Sequence, residues 1–176
     1  MKKNYCELEN NIINGRYSYL LEYYNKALDE NDDNVIIGGE LKMCLDNLIN
    51  DLSNPEYYYD QGDAELRINF IETFVKHTKS PFNGMPFLLE LWEKAVIEAF
   101  YSFKFVSTGF RRFKKLILLI ARKNGKSTFC AALCLAEFMI GKPGCDIVCS
   151  SNDDAQAGLI FDEIANMRQK FDPKGK

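Results

Sequence analysis

The residues best placed to do chemistry are Gly125-Lys126-Ser127, inside the stretch "LLIARKNGKSTF". A glycine followed by a lysine and a hydroxyl residue is the tail of a phosphate cradle. The glycine lets the backbone approach an anion, the lysine ammonium reaches the terminal phosphates, and the hydroxyl ligates Mg²⁺. The full pattern has another glycine five residues earlier, and here that position is Ile120. Arg122 and Lys123 add positive charge between the two positions. The competing reading is a chance Gly-Lys-Ser in a solvated loop, so the flanking elements must be weighed.

A cradle needs a buried strand to deliver it, inward-facing N–H groups, and a helix that begins at the loop with its positive end toward the anion. Lys115 to Ala121 ("KLILLIA") is a short, almost wholly apolar run of the kind found in a central parallel strand covered on both faces. Lys126 to Ile140 is rich in Ala, Leu and Cys and reads as a helix ended by Gly141-Lys142-Pro143-Gly144. Cys145 to Ser151 ("CDIVCSS") reads as a second strand. Asp153 to Phe171 reads as a final helix capped by Asp153 or Asn152. Strand, loop, helix and strand in this order make a βαβ unit with a right-handed crossover. In that setting the cradle is the favoured reading.

Upstream, the periodicity predicts helices only. Arg16 to Asn31 places Tyr17, Leu20, Leu21, Tyr24 and Leu28 on one face, and a break follows at 31–34. Glu40 to Leu52 repeats Leu41, Leu45, Leu48, Ile49 and Leu52. Pro55 and the tyrosine run 57–59 end it. Asp63 caps a third helix with Leu66, Ile68, Phe70, Ile71, Phe74 and Val75 on its apolar face, stopping before the turn Ser80 to Gly84. A fourth helix runs from about Leu88 to Tyr101 and holds Trp92, the single tryptophan. The fold expected is therefore α/β: a helical N-terminal region, 1–62, and an incomplete P-loop NTPase βαβ core within 63–176.

The 176 residues are 47% hydrophobic and 27% charged, as in an ordinary globular domain. No signal peptide and no bilayer-spanning run is visible, which favours a cytoplasmic location and no membrane partner. The six cysteines show no CxxC pair and read as small buried hydrophobes in a reducing compartment, not as zinc ligands. Residues 1–65 carry 5 Lys/Arg against 14 Asp/Glu, whereas 66–176 carry 17 against 11. A basic C-terminal part suits a polyanionic ligand, nucleotide or nucleic acid. The run Arg111, Arg112, Lys114, Lys115 either touches DNA phosphates or is an exposed strand start.

Three blocks, "FIETFVKHTKSPFNGMPFLLELWEKAVI" (70–97), "TGFRRFKKLILLIARKNGKST" (108–128) and "SSNDDAQAGLIFDEIANMR" (150–168), resemble the large terminase subunit of tailed bacteriophages. The resemblance is particularly to the group with an "ARKNGKS" loop, and it covers about 64–168. It implies an ATP-driven motor that pumps viral DNA into a procapsid, with an ATPase domain followed by a Mg²⁺-dependent nuclease domain. Arg122, Lys123, Asn124, Gly125, Lys126, Ser127 and Thr128 then form the nucleotide loop, with Mg²⁺ at Ser127. "LELWEK" matches a segment that reads L-E-P-W-Q in the family and contacts adenine, which would give that role to Trp92 and Glu93. Here Leu91 replaces Pro and Glu93 replaces Gln; ionised Glu only accepts, where Gln also donates. Core packing is the alternative for Trp92. Gln156 falls in the region that couples nucleotide to DNA, or is simply near a helix cap. Double-stranded DNA, a small terminase subunit and a portal are the implied partners.

"LIFDE" (159–163) imitates a Walker B strand, yet too few residues separate it from Ser151 for a parallel crossover. Leu159, Ile160, Ile164 and Met167 instead make a helix face, leaving Asp162 and Glu163 solvated. His77, the sole histidine, has no Cys or Ser partner in the pattern. The Walker B strand and nuclease carboxylates of the family lie beyond "FDPKGK", so a truncated chain without turnover, marginally stable and prone to aggregate, is expected. Two other readings stay open: a non-enzymatic remnant or interaction module whose basic loop binds phosphate or DNA, and an unrelated helicase-like P-loop ATPase.

Overall fold

A computed structural model of the chain describes residues 6–29, 34–144 and 146–174. Its elements are β1 (Cys6–Glu7), a 3-10 turn (Leu8–Asn10), β2 (Ile12–Ile13), β3 (Arg16–Tyr17), α1 (Tyr19–Leu28), α2 (Gly39–Asp51), β4 (Tyr57–Tyr59), α3 (Gly62–Phe74), α4 (Leu91–Ser102), β5 (Phe103–Phe105), α5 (Lys126–Ile140) and α6 (Asp154–Phe171). The protein is mixed α/β, with one antiparallel sheet in the order β1-β2-β3 and a second pairing β4 with β5. Among the described residues the six α-helices fall where the sequence places them, with ends displaced by a few residues.

The chain divides into two compact units, Met1–Glu65 with Glu90–Leu116 and Leu66–Leu89 with Ile117–Lys176. In the first unit Ile13, Leu20, Leu21, Leu45, Leu52, Tyr59 and Phe103 form the core. The expectation of helices alone in this region is corrected by both sheets. Arg16 and Tyr17 belong to β3, not to the first helix, and Tyr17 is exposed. The tyrosine run is strand β4, in register with β5 so that Tyr59 lies opposite Phe103, their rings edge to face at 4.8 Å. The break expected at 31–34 lies mostly outside the described residues.

A buried carboxylate ties this unit together. Glu98 of α4 is 1% exposed and accepts five hydrogen bonds. Ser18 Oγ (2.5 Å), Tyr59 Oη (2.8 Å) and Gln61 Nε2 (3.1 Å) reach Oε1, while the N–H groups of Tyr19 (2.6 Å) and Leu20 (3.3 Å) reach Oε2. Ser18 in turn accepts from Leu21 N as N-cap of α1. Three orphan donors of the α1 terminus are thus satisfied, two of them by a residue 78 or 79 positions away. Burial pushes the Glu98 carboxyl above its usual range, and its donors oppose that shift.

In the second unit α5 buries Phe129, Ala131, Ala132, Leu135 and Ala136. On α6, Ile160, Glu163, Ile164, Met167 and Phe171 face inward at helical spacing, and Phe171 meets Phe70 and Phe74. Leu159 was expected on that face but is exposed. On α3, Leu66 and Phe74 are likewise exposed, and Arg67 takes a buried place instead. Its guanidinium pairs with Glu137 of α5, Nε to Oε1 at 2.7 Å and the second nitrogen to Oε2 at 3.4 Å. α3 ends at Phe74, short of the expected turn, because the chain leaves it to bridge Lys76 with Pro86.

The main correction concerns the βαβ core. Neither Lys115–Ala121 nor 146–151 is a strand; both are irregular, and Cys145 lies outside the described residues. A parallel strand needs a hydrogen-bonded neighbour, and among the described residues neither segment has one. Ile117 is 89% exposed, Leu119 99% and Val148 84%. Burial still alternates along 146–150, with Ile147 and Cys149 partly covered, as one-sided packing dictates.

Replacing Glu98 by Gln keeps its volume but turns an amide NH₂ toward the Tyr19 and Leu20 N–H groups. We expect Glu98→Gln to cost at least about 1.5 kcal/mol, from buried donors left unsatisfied. The isosteric change at exposed Glu56 should stay within about 0.5 kcal/mol. Denaturant unfolding of the two variants side by side is the check; equal midpoints would remove Glu98 from its central place.

Candidate phosphate-binding site

The loop 122–125 ends at the first turn of α5. Gly125 is the N-cap, with φ 71° and ψ −1°, the left-handed region that glycine enters without penalty. Lys123 is also left-handed, at φ 69°, a conformation that costs a residue with a Cβ about 1 kcal/mol. The backbone therefore reverses twice in three residues before the helix starts. Phe129 N–H bonds Gly125 O at 2.9 Å as the first bond of the helix, and no side chain caps it. The leading N–H groups of Lys126, Ser127 and Thr128 consequently face outward at the positive end of a 15-residue helix.

All residues from Ala121 to Ser127 are exposed, and Thr128 is partly so. Lys126 Nζ lies 3.5 Å from the Ile120 carbonyl, a marginal contact that folds the side chain back over the loop. The acceptor is thus the backbone carbonyl of the position where a full motif would have its first glycine. A methyl placed on Gly125 would meet nothing within 4 Å. The constraint at Gly125 is conformational, not steric. At the other end of α5 Gly141 is sterically required: a Cβ there would stand 2.2 Å from the Glu137 carbonyl oxygen.

The donor set suits an anion at the helix terminus, with one exposed hydroxyl, Ser127, able to reach a cation held by that anion. Among the described residues no group of three His, Cys, Asp or Glu could hold a metal ion. Cys130 and Cys134 are half buried on α5, and burial raises both thiols, Cys134 to about 11. Cys44, expected buried, is exposed. Among the described residues no helix is long and apolar enough to cross a membrane.

Gln156 is exposed in the first turn of α6, where its Oε1 accepts from Ser151 Oγ at 3.3 Å; the cap of that helix is Asp153, which accepts from Ala155 N. "LIFDE" lies within α6, as the spacing argument required, and Asp162 is exposed. Glu163 corrects the expectation of a solvated carboxylate. It is 4% exposed, with Thr78 Oγ1 at 2.5 Å and Lys79 Nζ at 2.8 Å. His77 packs its ring on Phe82 and Phe87, and burial lowers its pKa. Sequence reasoning missed the buried roles of Glu98, Glu163 and Arg67. Their one signal was a charged residue at an apolar position of a helical repeat.

Trp92 and Glu93 belong to the first unit, in the opening turn of α4. Trp92 is partly exposed. Glu93 is 4% exposed and forms a capping box with Glu90, whose N–H donates to Glu93 Oε2 at 2.9 Å. Burial first, and then the Glu90 charge, pushes its carboxyl up to about 7 against the pull of that hydrogen bond. Folding therefore favours the neutral acid. The resulting stability is complete below pH 4.5 and is lost as pH rises through about 7. Glu93→Gln mimics the neutral acid, so the variant should match wild type in thermal stability near pH 4.5 and exceed it above pH 7. A wild-type-to-variant difference that stays constant with pH would refute this.

A family model described as "Terminase large subunit, ATPase domain" matches residues 91–174, from the start of α4 past the end of α6. The span contains the loop, Trp92, Glu93 and Gln156; block 70–90 lies outside it. No curated protein and no solved structure matches the chain. Over residues 91–174 the chain is thus similar to the ATPase domain of terminase large subunits.

Proposed function

We propose that the loop at the head of α5 binds the phosphates of Mg²⁺-ATP, within a protein whose role is to couple ATP to the packaging of double-stranded DNA. The observation that carries this reading is the uncapped α5 terminus, with left-handed Gly125 and the exposed Lys126 and Ser127 at its first positions. Backbone N–H groups of 126–128 would take the phosphate oxygens, Lys126 the terminal phosphate charge, and Arg122 and Lys123 the outer field. Asn124 would hold the turn, Ser127 Oγ would give Mg²⁺ one oxygen, and Gln156 would relay nucleotide state. For Glu93 the capping bond is a structural role that stands whether or not adenine is read there.

A non-enzymatic loop that binds any polyanion is favoured by one observation, the full exposure of 121–127. Calorimetry of the whole chain with Mg²⁺-ATP, wild type beside Lys126→Ala, with turnover followed on the same samples, separates the two. We expect wild-type binding that weakens at least about tenfold in the variant, or about 1.4 kcal/mol, with little turnover. Equal binding by both proteins, or none by a folded wild type, would sink the cradle. Binding that persists without Mg²⁺ and is matched by inorganic polyphosphate would favour the polyanion loop.

A further inference from the structure

From Ala99 to Ala136 the chain carries eight Lys/Arg and no Asp/Glu. In its first half a tight hairpin sorts these cations by commitment. β5 turns back through Gly109 (φ 69°), Phe105 N bonds Phe110 O at 2.9 Å, Lys104 bridges to Arg111, and Arg112 N bonds Phe103 O at 2.8 Å. Lys104 is held between Asp60 (2.8 Å) and Asp63 (2.9 Å). The Arg111 guanidinium stacks on Phe100 and Tyr101, at 4.4 and 4.8 Å from their centroids. Arg112 stacks on Tyr57 and Phe113 and pairs with Asp51. The two lysines that follow, Lys114 and Lys115, are exposed, with no ion-pair partner among the described residues.

We propose that Lys114 and Lys115, presented by the 103–112 hairpin, are contacts for the phosphate backbone of duplex DNA, and that Arg111 and Arg112 are not. This rests on the DNA-packaging reading above. Two adjacent, strongly hydrated point charges with no converging donors form no cup for a single phosphate, whereas a repeating polyanion gains from each by releasing counterions. The guanidinium forks that would grip a phosphate bidentately are instead held against aromatic faces and, for Arg112, by a carboxylate.

The test is anisotropy of a labelled mixed-sequence DNA duplex titrated with the whole chain across a salt series. Wild type is compared with Lys114→Gln/Lys115→Gln and with Lys126→Ala, and Mg²⁺-ATP binding is measured on the same samples. The double variant should lower the slope of log K against log salt by about 1.8, at about 0.9 per phosphate, while its melting temperature and ATP binding stay unchanged. An unchanged slope, an equal loss in Lys126→Ala, or a wild type that does not bind the duplex would each overturn the assignment. ATP binding that survives in those cases would leave the nucleotide reading standing. A lysine-dependent slope without ATP binding would do the reverse.

Discussion

The first unit depends on one carboxylate. Glu98 sits where the N-terminus of α1, strand β4 and helix α4 meet, and it is the acceptor for donors from all of them. A buried anion is costly unless it is fully hydrogen-bonded, and a helix N-terminus is costly unless its N–H groups find acceptors. Each requirement is met by the other. The macrodipole of α1 adds favourable charge at the same point. Ser18 links the two sets by donating to Glu98 while accepting from Leu21. The small N-terminal sheet gains its place from the same junction, since β3 leads directly into that cap and Asn14 Nδ2 bonds Tyr59 O at 2.9 Å.

The second unit is organised by α5 packed on α6, but it lacks an equivalent completed layer around the loop that precedes α5. Ile117, Leu119 and Val148 remain exposed, and among the described residues the backbone that delivers the glycine turn pairs with no strand. The loop's own geometry survives this because it is local: a left-handed glycine and the uncapped helix end need only the first turn of α5. Alternating burial along 146–150 shows that strand character in the side chains persists where strand pairing does not.

Charge in the basic stretch is divided by packing. Arginine stems and planar guanidinium groups cover aromatic surface in the first unit, where Arg112 alone meets Tyr57, Phe113 and Asp51. Lys114 and Lys115 have no such use among the described residues. A run that looks uniform in sequence therefore holds two structural residues and two free charges, and net charge alone cannot distinguish them.

Among the described residues the six α-helices, the turn at 122–125 ahead of α5 and the rejection of "LIFDE" as a strand were legible in the chain itself, because apolar periodicity and a Gly-Lys-Ser at a helix start are local signals. The similarity to terminase large subunits was legible in the sequence blocks, and the matching family model spans 91–174. Short strands β1 to β5 were not, since two- and three-residue strands carry no period and exist only through their partners. "KLILLIA" read as a strand for the opposite reason: its composition fits a buried sheet, but pairing is a tertiary property, and none is made among the described residues. Tertiary structure alone decided that Glu98 and Glu163 are buried acceptors, that Glu93 caps its own helix, and that Arg67 joins α3 to α5. Glu98 and Glu163 are buried because donors from sequence-distant residues converge on them, and that convergence is not written in any one segment.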